Sequence, residues 1–232
     1  MKHYVDYRKL KGWDEFGLLS PIQNAFYKKL FSLAKKFTGR TENILDIGFG
    51  NGSLLSYCKT NFIKFDGIES DLKSLNIAKQ YFQNVYSLAE FKPEKQYDLI
   101  FLLDVLEHNT FEDCNDLLSM CKGLLAKNGL IVIKVPNGDS PFGLRNQNGD
   151  PTHISFFGIN KLYFFSKILD FKIVFFCGDL EPIFCGSRMH TFHRIIFKPI
   201  KLLVNFIINI IFYPGNRTEF CSQSLIVFLK KI

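Results

Sequence analysis

Asn43-Ile44-Leu45-Asp46-Ile47-Gly48-Phe49-Gly50-Asn51-Gly52 decides how this chain is read. Ile44, Leu45 and Ile47 predict a short buried strand, and three glycines at alternate positions predict a tight turn directly behind it. A short helix is expected from Ser53. Strand, glycine turn, helix is an arrangement in which a ligand meets the backbone at the carboxyl end of a parallel strand. Missing side chains let that ligand come close, and glycine tolerates the angles of the turn. The spacing is GxGxG, whereas a dinucleotide fingerprint is GxGxxG and a phosphate loop is GxxxxGK[ST]. Neither fits, which disfavours an NAD enzyme.

Outward from this stretch the alternation continues. Residues 65–68 predict a strand, 71–82 a helix, 84–88 a strand, 97–103 a buried strand, 111–126 a helix and 130–135 a strand. Before it, Ser20-Pro21-Ile22-Gln23 forms a capping box with Pro at the first helical position, so a helix is expected over 20–37. After it come a helix from 160, a strand over 171–176, an apolar helix near 194–213 and a last strand over 224–229. Near-continuous apolar strands alternating with helices specify a parallel sheet covered on both faces. The expectation is a doubly wound α/β domain with a seven-stranded, mostly parallel sheet. Residues 1–40 would form an N-terminal helical cap and 41–232 the main domain, with a helical insertion at about 186–216. Residues 136–153, rich in Gly, Asn, Asp and Pro, read as a long loop after a sheet strand, where function concentrates.

The 232 residues are 47% hydrophobic and 22% charged, enough for one core that buries about 70% of the unfolded surface. Disorder, collagen and coiled coil are excluded. A net charge of +7 permits nucleic acid, an anionic membrane or a phosphorylated substrate and selects none of them. Six cysteines show no CxxC pair and no zinc-type spacing, so they read as buried, reduced thiols and no metal is expected. Met1 to Leu10 has no apolar h-region, which points to the cytoplasm. The apolar run over 202–213 is shorter than the roughly 20 residues needed to cross a bilayer, so it is not expected to span one.

Glu69 follows the second strand, about 20 residues after the first glycine, where an acid accepts both hydroxyls of a ribose. A nucleoside-like cofactor without a pyrophosphate is implied. Residues 46–52, Gly67-Ile68-Glu69, residues 97–108 and residues 127–137 together resemble class I S-adenosylmethionine-dependent methyltransferases, and the likeness covers about 42–180. Within that superfamily, Leu103-Asp104-Val105-Leu106-Glu107-His108 and Thr152-His153-Ile154-Ser155-Phe156-Phe157 resemble the branch holding ubiquinone-biosynthesis O-methyltransferases and methyltransferases of surface-polysaccharide clusters. The resemblance implies S-adenosylmethionine as cofactor. Gly48, Gly50 and Gly52 would line its methionine moiety, Glu69 would hold its ribose, the backbone around Asp104 would meet its amino-acid end, and Asp46 would also bind it. Leu88 stands where such enzymes often carry an Asp for the adenine amine, with Ser87 as a substitute.

Methyl transfer to a neutral hydroxyl needs a base for the departing proton. His153, ending the long loop, is the first candidate, with Asp150 to orient it or hold substrate, and His108 is the second. Glu107 and His108 also suit the start of a helix, and His190 and His193 suit a surface. Arg194, Lys198 and Lys201 beside an apolar helix fit either packing on the core or a dimer partner, or docking on anionic lipid as a peripheral membrane contact. Nucleic acid is not expected as partner, because Leu103-Asp104-Val105-Leu106 stands where base amino-methylation uses [NDS]PP[FY]. The oligomeric state is open. The expected activity is O-methylation of a sugar or lipid-linked glycan precursor. Its rivals are a quinone-precursor or other small-molecule O-methyltransferase and a catalytically silent cofactor-binding protein.

Overall fold

The computed structural model describes residues 11, 15–184 and 188–232. Met1 to Leu10 and Cys185 lie outside them, as does part of the expected insertion at 186–216. In chain order the elements are α1 (Pro21–Thr38), β1 (Asn43–Ile47), α2 (Ser53–Thr60), β2 (Lys64–Ile68), α3 (Leu72–Ala78), β3 (Val85–Tyr86) and β4 (Tyr97–Leu103). A 3₁₀ turn (Leu106–His108) leads into α4 (Phe111–Leu124), β5 (Leu125–Pro136), α5 (Leu144–Asn148), α6 (Ile159–Ile168), β6 (Phe171–Cys177), α7 (Arg188–Phe212) and β7 (Ser224–Lys231).

The seven strands form one sheet in the order β3-β2-β1-β4-β5-β7-β6, parallel except for β7, which runs antiparallel to β5 and β6. This is the expected doubly wound architecture. Along β1 and β4 alternate side chains enter opposite layers: Leu45, Ile100 and Leu102 meet α4 and α6, while Ile44, Leu99 and Phe101 meet α1 and α2. Strands buried on both faces read as continuous apolar runs. The chain reverses direction across the sheet between β1 and β4, and a crevice opens beyond their carboxyl ends.

α1 begins and ends as its sequence dictates. Ser20 and Gln23 exchange capping hydrogen bonds, and Gly39 closes the helix in the left-handed region at φ 75°. Its buried Tyr27, Leu30, Phe31 and Ala34 pack on the sheet, so this described part of residues 1–40 is a layer of the fold.

Three elements differ from expectation. β5 starts at Leu125, because Tyr97 pairs with Leu125 before a register shift, so α4 ends earlier than the apolar periodicity suggests. The loop after β5 contains the short helix α5. α7 runs for 25 residues and is long and apolar enough to cross a membrane by length and composition, contrary to the reading of 202–213 alone. None of its residues is buried, which removes packing into this chain's own core as its explanation. Among the described cysteines Cys58, Cys114 and Cys121 are buried, Cys177 and Cys221 are partly so, and none of these five is in a disulfide.

Candidate functional site

A cavity of about 1070 Å³ lies in the crevice, floored by the turn after β1 and walled by residues that follow β2, β4 and β5. The turn holds its shape through two glycines whose hydrogens face protein. Gly48 sits at φ 73° and donates its N–H to the Ile68 carbonyl at 2.8 Å, and a Cβ there would come to 2.7 Å from Val105. Gly52 sits at φ 74°, and a Cβ there would strike the Phe16 ring at 2.5 Å. Gly52 is therefore not part of the cavity lining. Its place in the motif is set by the segment before α1, which crosses the turn with Gly17 N–H donating to the Asn51 carbonyl and Phe16 stacking on Tyr81.

Glu69 is buried at the end of β2 and lines the cavity. Its Oε2 accepts from Gly50 N–H at 2.8 Å, and its Oε1 accepts from Ser70 and Asp71 N–H at 2.8 and 3.0 Å. One carboxylate thus ties the glycine turn to the start of the next loop, and Oε2 retains a lone pair toward the cavity for a hydroxyl. Asp46 lies beneath the turn, and burial, reinforced by the charge of Glu69, pushes its carboxyl up to about 8. Asp104 directly follows β4 at φ 58° and pairs with Lys134 Nζ at 2.5 and 2.6 Å, both lining the cavity. Burial would lower the Lys134 ammonium, but the Asp104 charge raises it on balance.

Leu88 departs from its expected place. It stands exposed past β3 and is absent from the cavity lining, while Ser87 is engaged with Glu90 through both its N–H and its hydroxyl. The two-residue β3 ends before the chain reaches Leu88.

The other end of the cavity gathers Glu107, His108, Asp150 and His153. His153 Nδ1 lies 3.1 Å from the Gln147 carbonyl, which fixes the proton on that nitrogen. Nε2 then faces Asp150 Oδ2 at 3.7 Å and Glu107 Oε1 at 4.0 Å. His108 packs edge-on against His153 with ring centroids 4.6 Å apart, and its Nδ1 meets the Thr152 hydroxyl at 2.9 Å. Burial and the neighbouring His153 lower the His108 pKa. Burial alone would raise the Asp150 carboxyl, but Lys11 at 2.6 Å and hydrogen bonds from Thr152 hold it far below the usual carboxylate range.

Glu107 was marked by the sequence as part of the Leu103–His108 motif and of a helix start, with no role of its own. It is fully buried, its carboxylate oxygens make no hydrogen bond among the described residues, and burial with the nearby Asp104 charge pushes it up to about 8. A glutamate in the middle of the 3₁₀ turn, directly after the buried Leu106, was the available signal. Its backbone carbonyl accepts from Ile154 and Ser155 N–H, pinning the turn to the loop that carries His153. Donor atoms of Glu107, His108 and His153 lie within 4.8 Å of one another, a set of two imidazoles and a carboxylate that could hold a divalent ion. No sequence spacing announces it. Lys11 and Arg194 also line the cavity and carried no site signal.

A switch-point crevice floored by a glycine turn, with a strand-end acid beside it, defines a Rossmann-like transferase fold of the methyltransferase type. A family model described as a methyltransferase domain matches residues 21–171, more than half of the chain, and the chain belongs to that family. No curated protein sequence matches it. Among solved structures, a SAM-dependent methyltransferase from Archaeoglobus fulgidus is 22% identical over 100% of both chains, with a TM-score of 0.61. The plantazolicin methyltransferase BamL, solved with a triazolic desmethylPZN analog and SAH, is 14% identical with a TM-score of 0.63, covering 98% of this chain and 91% of its own. An S-adenosylmethionine-dependent methyltransferase from Clostridium acetobutylicum is 9% identical with a TM-score of 0.62, covering 97% and 96%. These likenesses show the shared fold.

The protein is a methyltransferase of class EC 2.1.1 that uses S-adenosylmethionine. The residues present fit that group: Glu69 offers a buried acceptor at the end of β2, the turn exposes Gly50 and Asn51 to the cavity, and Asp104 stands at the end of β4. When bound, the cofactor supplies a methyl group already activated on a sulfonium. The protein's share is alignment and exclusion of water.

Proposed function

We propose that the protein O-methylates a hydroxyl of a sugar or of a lipid-linked glycan precursor, with His153 as general base. The observation that carries this reading is the fixed tautomer of His153. With Nδ1–H given to the Gln147 carbonyl, the unprotonated Nε2, at the cavity wall beside Asp150 and Glu107, is the atom that takes the acceptor's proton. The imidazolium that results lies 3.7 Å from ionised Asp150, which stabilises it. The cavity lining mixes apolar side chains such as Phe26, Leu103 and Leu180 with Asn109, Arg145 and Asn146, and these polar groups are what support a polyhydroxylated acceptor. Asp46, Gly48, Gly50, Glu69 and Asp104 hold the cofactor.

His153→Ala should keep S-adenosylmethionine affinity within a few-fold by calorimetry and lose about 10²–10⁴-fold in single-turnover methyl transfer. Transfer within about threefold of wild type would make His153 structural and move the test to His108→Ala. Chelator treatment should leave the rate unchanged. A loss restored by added divalent ion would instead assign Glu107, His108 and His153 to a metal.

A further inference from the structure

α7 carries its amphipathicity the wrong way round for a helix in water. Arg194, Lys198, Lys201, Asn205 and Asn209 recur at steps of four, three, four and four, which places them in one stripe along the helix. Every one of them bonds the protein body. Arg194 Nη1 donates to the Pro182 carbonyl at 2.6 Å, and Lys198 Nζ donates to the Glu181 carbonyl at 3.3 Å. Lys201 lies 3.6 Å from the Glu181 carboxylate. Asn209 donates to the Thr218 carbonyl at 2.9 Å and accepts from its N–H at 2.7 Å, and Asn205 accepts from Cys221 N–H.

The polar stripe therefore faces inward, and the apolar remainder faces out. Fourteen large apolar side chains of α7 are exposed, among them Phe192, Leu202, Leu203, Phe206, Ile211 and Phe212, each more than half so. The largest apolar patch on a soluble monomer is about 300–600 Å² and belongs to few side chains. We propose that α7 lies in the surface of an anionic lipid bilayer, its apolar side sunk among the acyl chains and its polar stripe holding the catalytic body above them.

Two features select a bilayer. The apolar surface wraps most of the helix circumference, so the same helix of a second copy would cover only a strip of it. The segment Arg188–Phe212 also contains no acid and four cations, Arg188 exposed and Arg194, Lys198 and Lys201 still partly exposed where the helix meets the body, at the level an anionic headgroup layer would occupy. Spanning is excluded by the stripe itself: withdrawing α7 into the hydrocarbon would break bonds from Arg194 to Asn209, along most of its length.

Arg194, Glu181 and Pro182 also line the catalytic cavity, so its mouth opens beside the membrane-facing helix. This deepens the proposed function by giving a lipid-linked acceptor a direct route to the site. The docking rests on α7 alone and stands or falls apart from the identity of the acceptor.

The test is flotation of the full-length protein with phosphatidylglycerol-phosphatidylcholine vesicles and with phosphatidylcholine vesicles alone. The protein should float with the anionic vesicles, less with the neutral ones, and be released by an alkaline carbonate wash. The variant Leu203→Glu/Phe206→Glu/Ile210→Glu alters only outward positions, so it should bind S-adenosylmethionine like wild type while its vesicle partitioning falls by at least about tenfold. Retention through the carbonate wash would mean a spanning helix and overturn the proposal. So would absence of flotation at low salt, whether the protein sediments as a monomer or as an oligomer that the triple variant dissociates.

Discussion

Glu69 does two things at once, and its replacement should report both. Its carboxylate accepts three backbone N–H groups, so Glu69→Ala releases the glycine turn as well as losing the ribose acceptor. Charge-assisted bonds of this kind are worth roughly 1.5–3 kcal/mol. A folded Glu69→Ala should bind S-adenosylmethionine about tenfold to a hundredfold more weakly by calorimetry, and an unchanged affinity would remove Glu69 from the site. Asp46 yields a prediction in pH. Its folded carboxyl is raised to about 8 by burial and by Glu69, against an ordinary aspartate near 3.8. Between those values the unfolded chain releases the proton while the folded one keeps it, so stability falls as pH rises through that window and levels off above it. Asp46→Asn has no such proton. Its melting temperature relative to wild type should climb from pH 5 to pH 8, and parallel curves would refute the shift. Single residues were only partly legible beforehand. Glu69 and Asp104 stood out because strand ends announce themselves, whereas Leu88 misled because the length of β3 cannot be read from its composition.

The turn after β1 was legible as an element and misread in one detail. Glycine at 48 and 52 answers to Val105 and Phe16, which no local pattern reveals, and not to the ligand alone. Gly48→Ala forces a left-handed alanine and a clash at 2.7 Å, with a cost of about 2–4 kcal/mol. Trimming the obstacle in Gly48→Ala/Val105→Ala should leave the backbone cost and recover steric strain, so the double variant should lose less stability than the sum of the two singles. Strict additivity in urea melts would show that the two side chains do not meet. α7 was underestimated because its lysines interrupt a hydropathy window, although in space they fall on one side. A linear scan sees charges breaking an apolar run; a helix sorts them onto a face.

The sheet order was recoverable from the alternation of buried strands with helices, since right-handed crossovers leave few ways to arrange them. The acceptor end was recoverable only in part. His108 and His153 were named singly, but their edge-on contact and the buried Glu107 between the loops depend on how β4 and β5 line up. The segment before α1 was not legible at all, and it touches both ends of the cavity: Lys11 holds Asp150 on the acceptor side, while Phe16 and Gly17 hold the turn on the cofactor side. A single stretch of chain in contact with both subsites offers a physical route by which one occupancy can bias the other. Any coupling carried by this segment is reciprocal: a factor by which the acceptor changes the affinity for S-adenosylmethionine is the factor by which the cofactor changes acceptor affinity. Lys11→Ala should therefore shift cofactor affinity in calorimetry even though its charge partner lies with the imidazoles. If the segment carries such coupling, double-reciprocal plots for wild type and Lys11→Ala should differ in where their lines intersect.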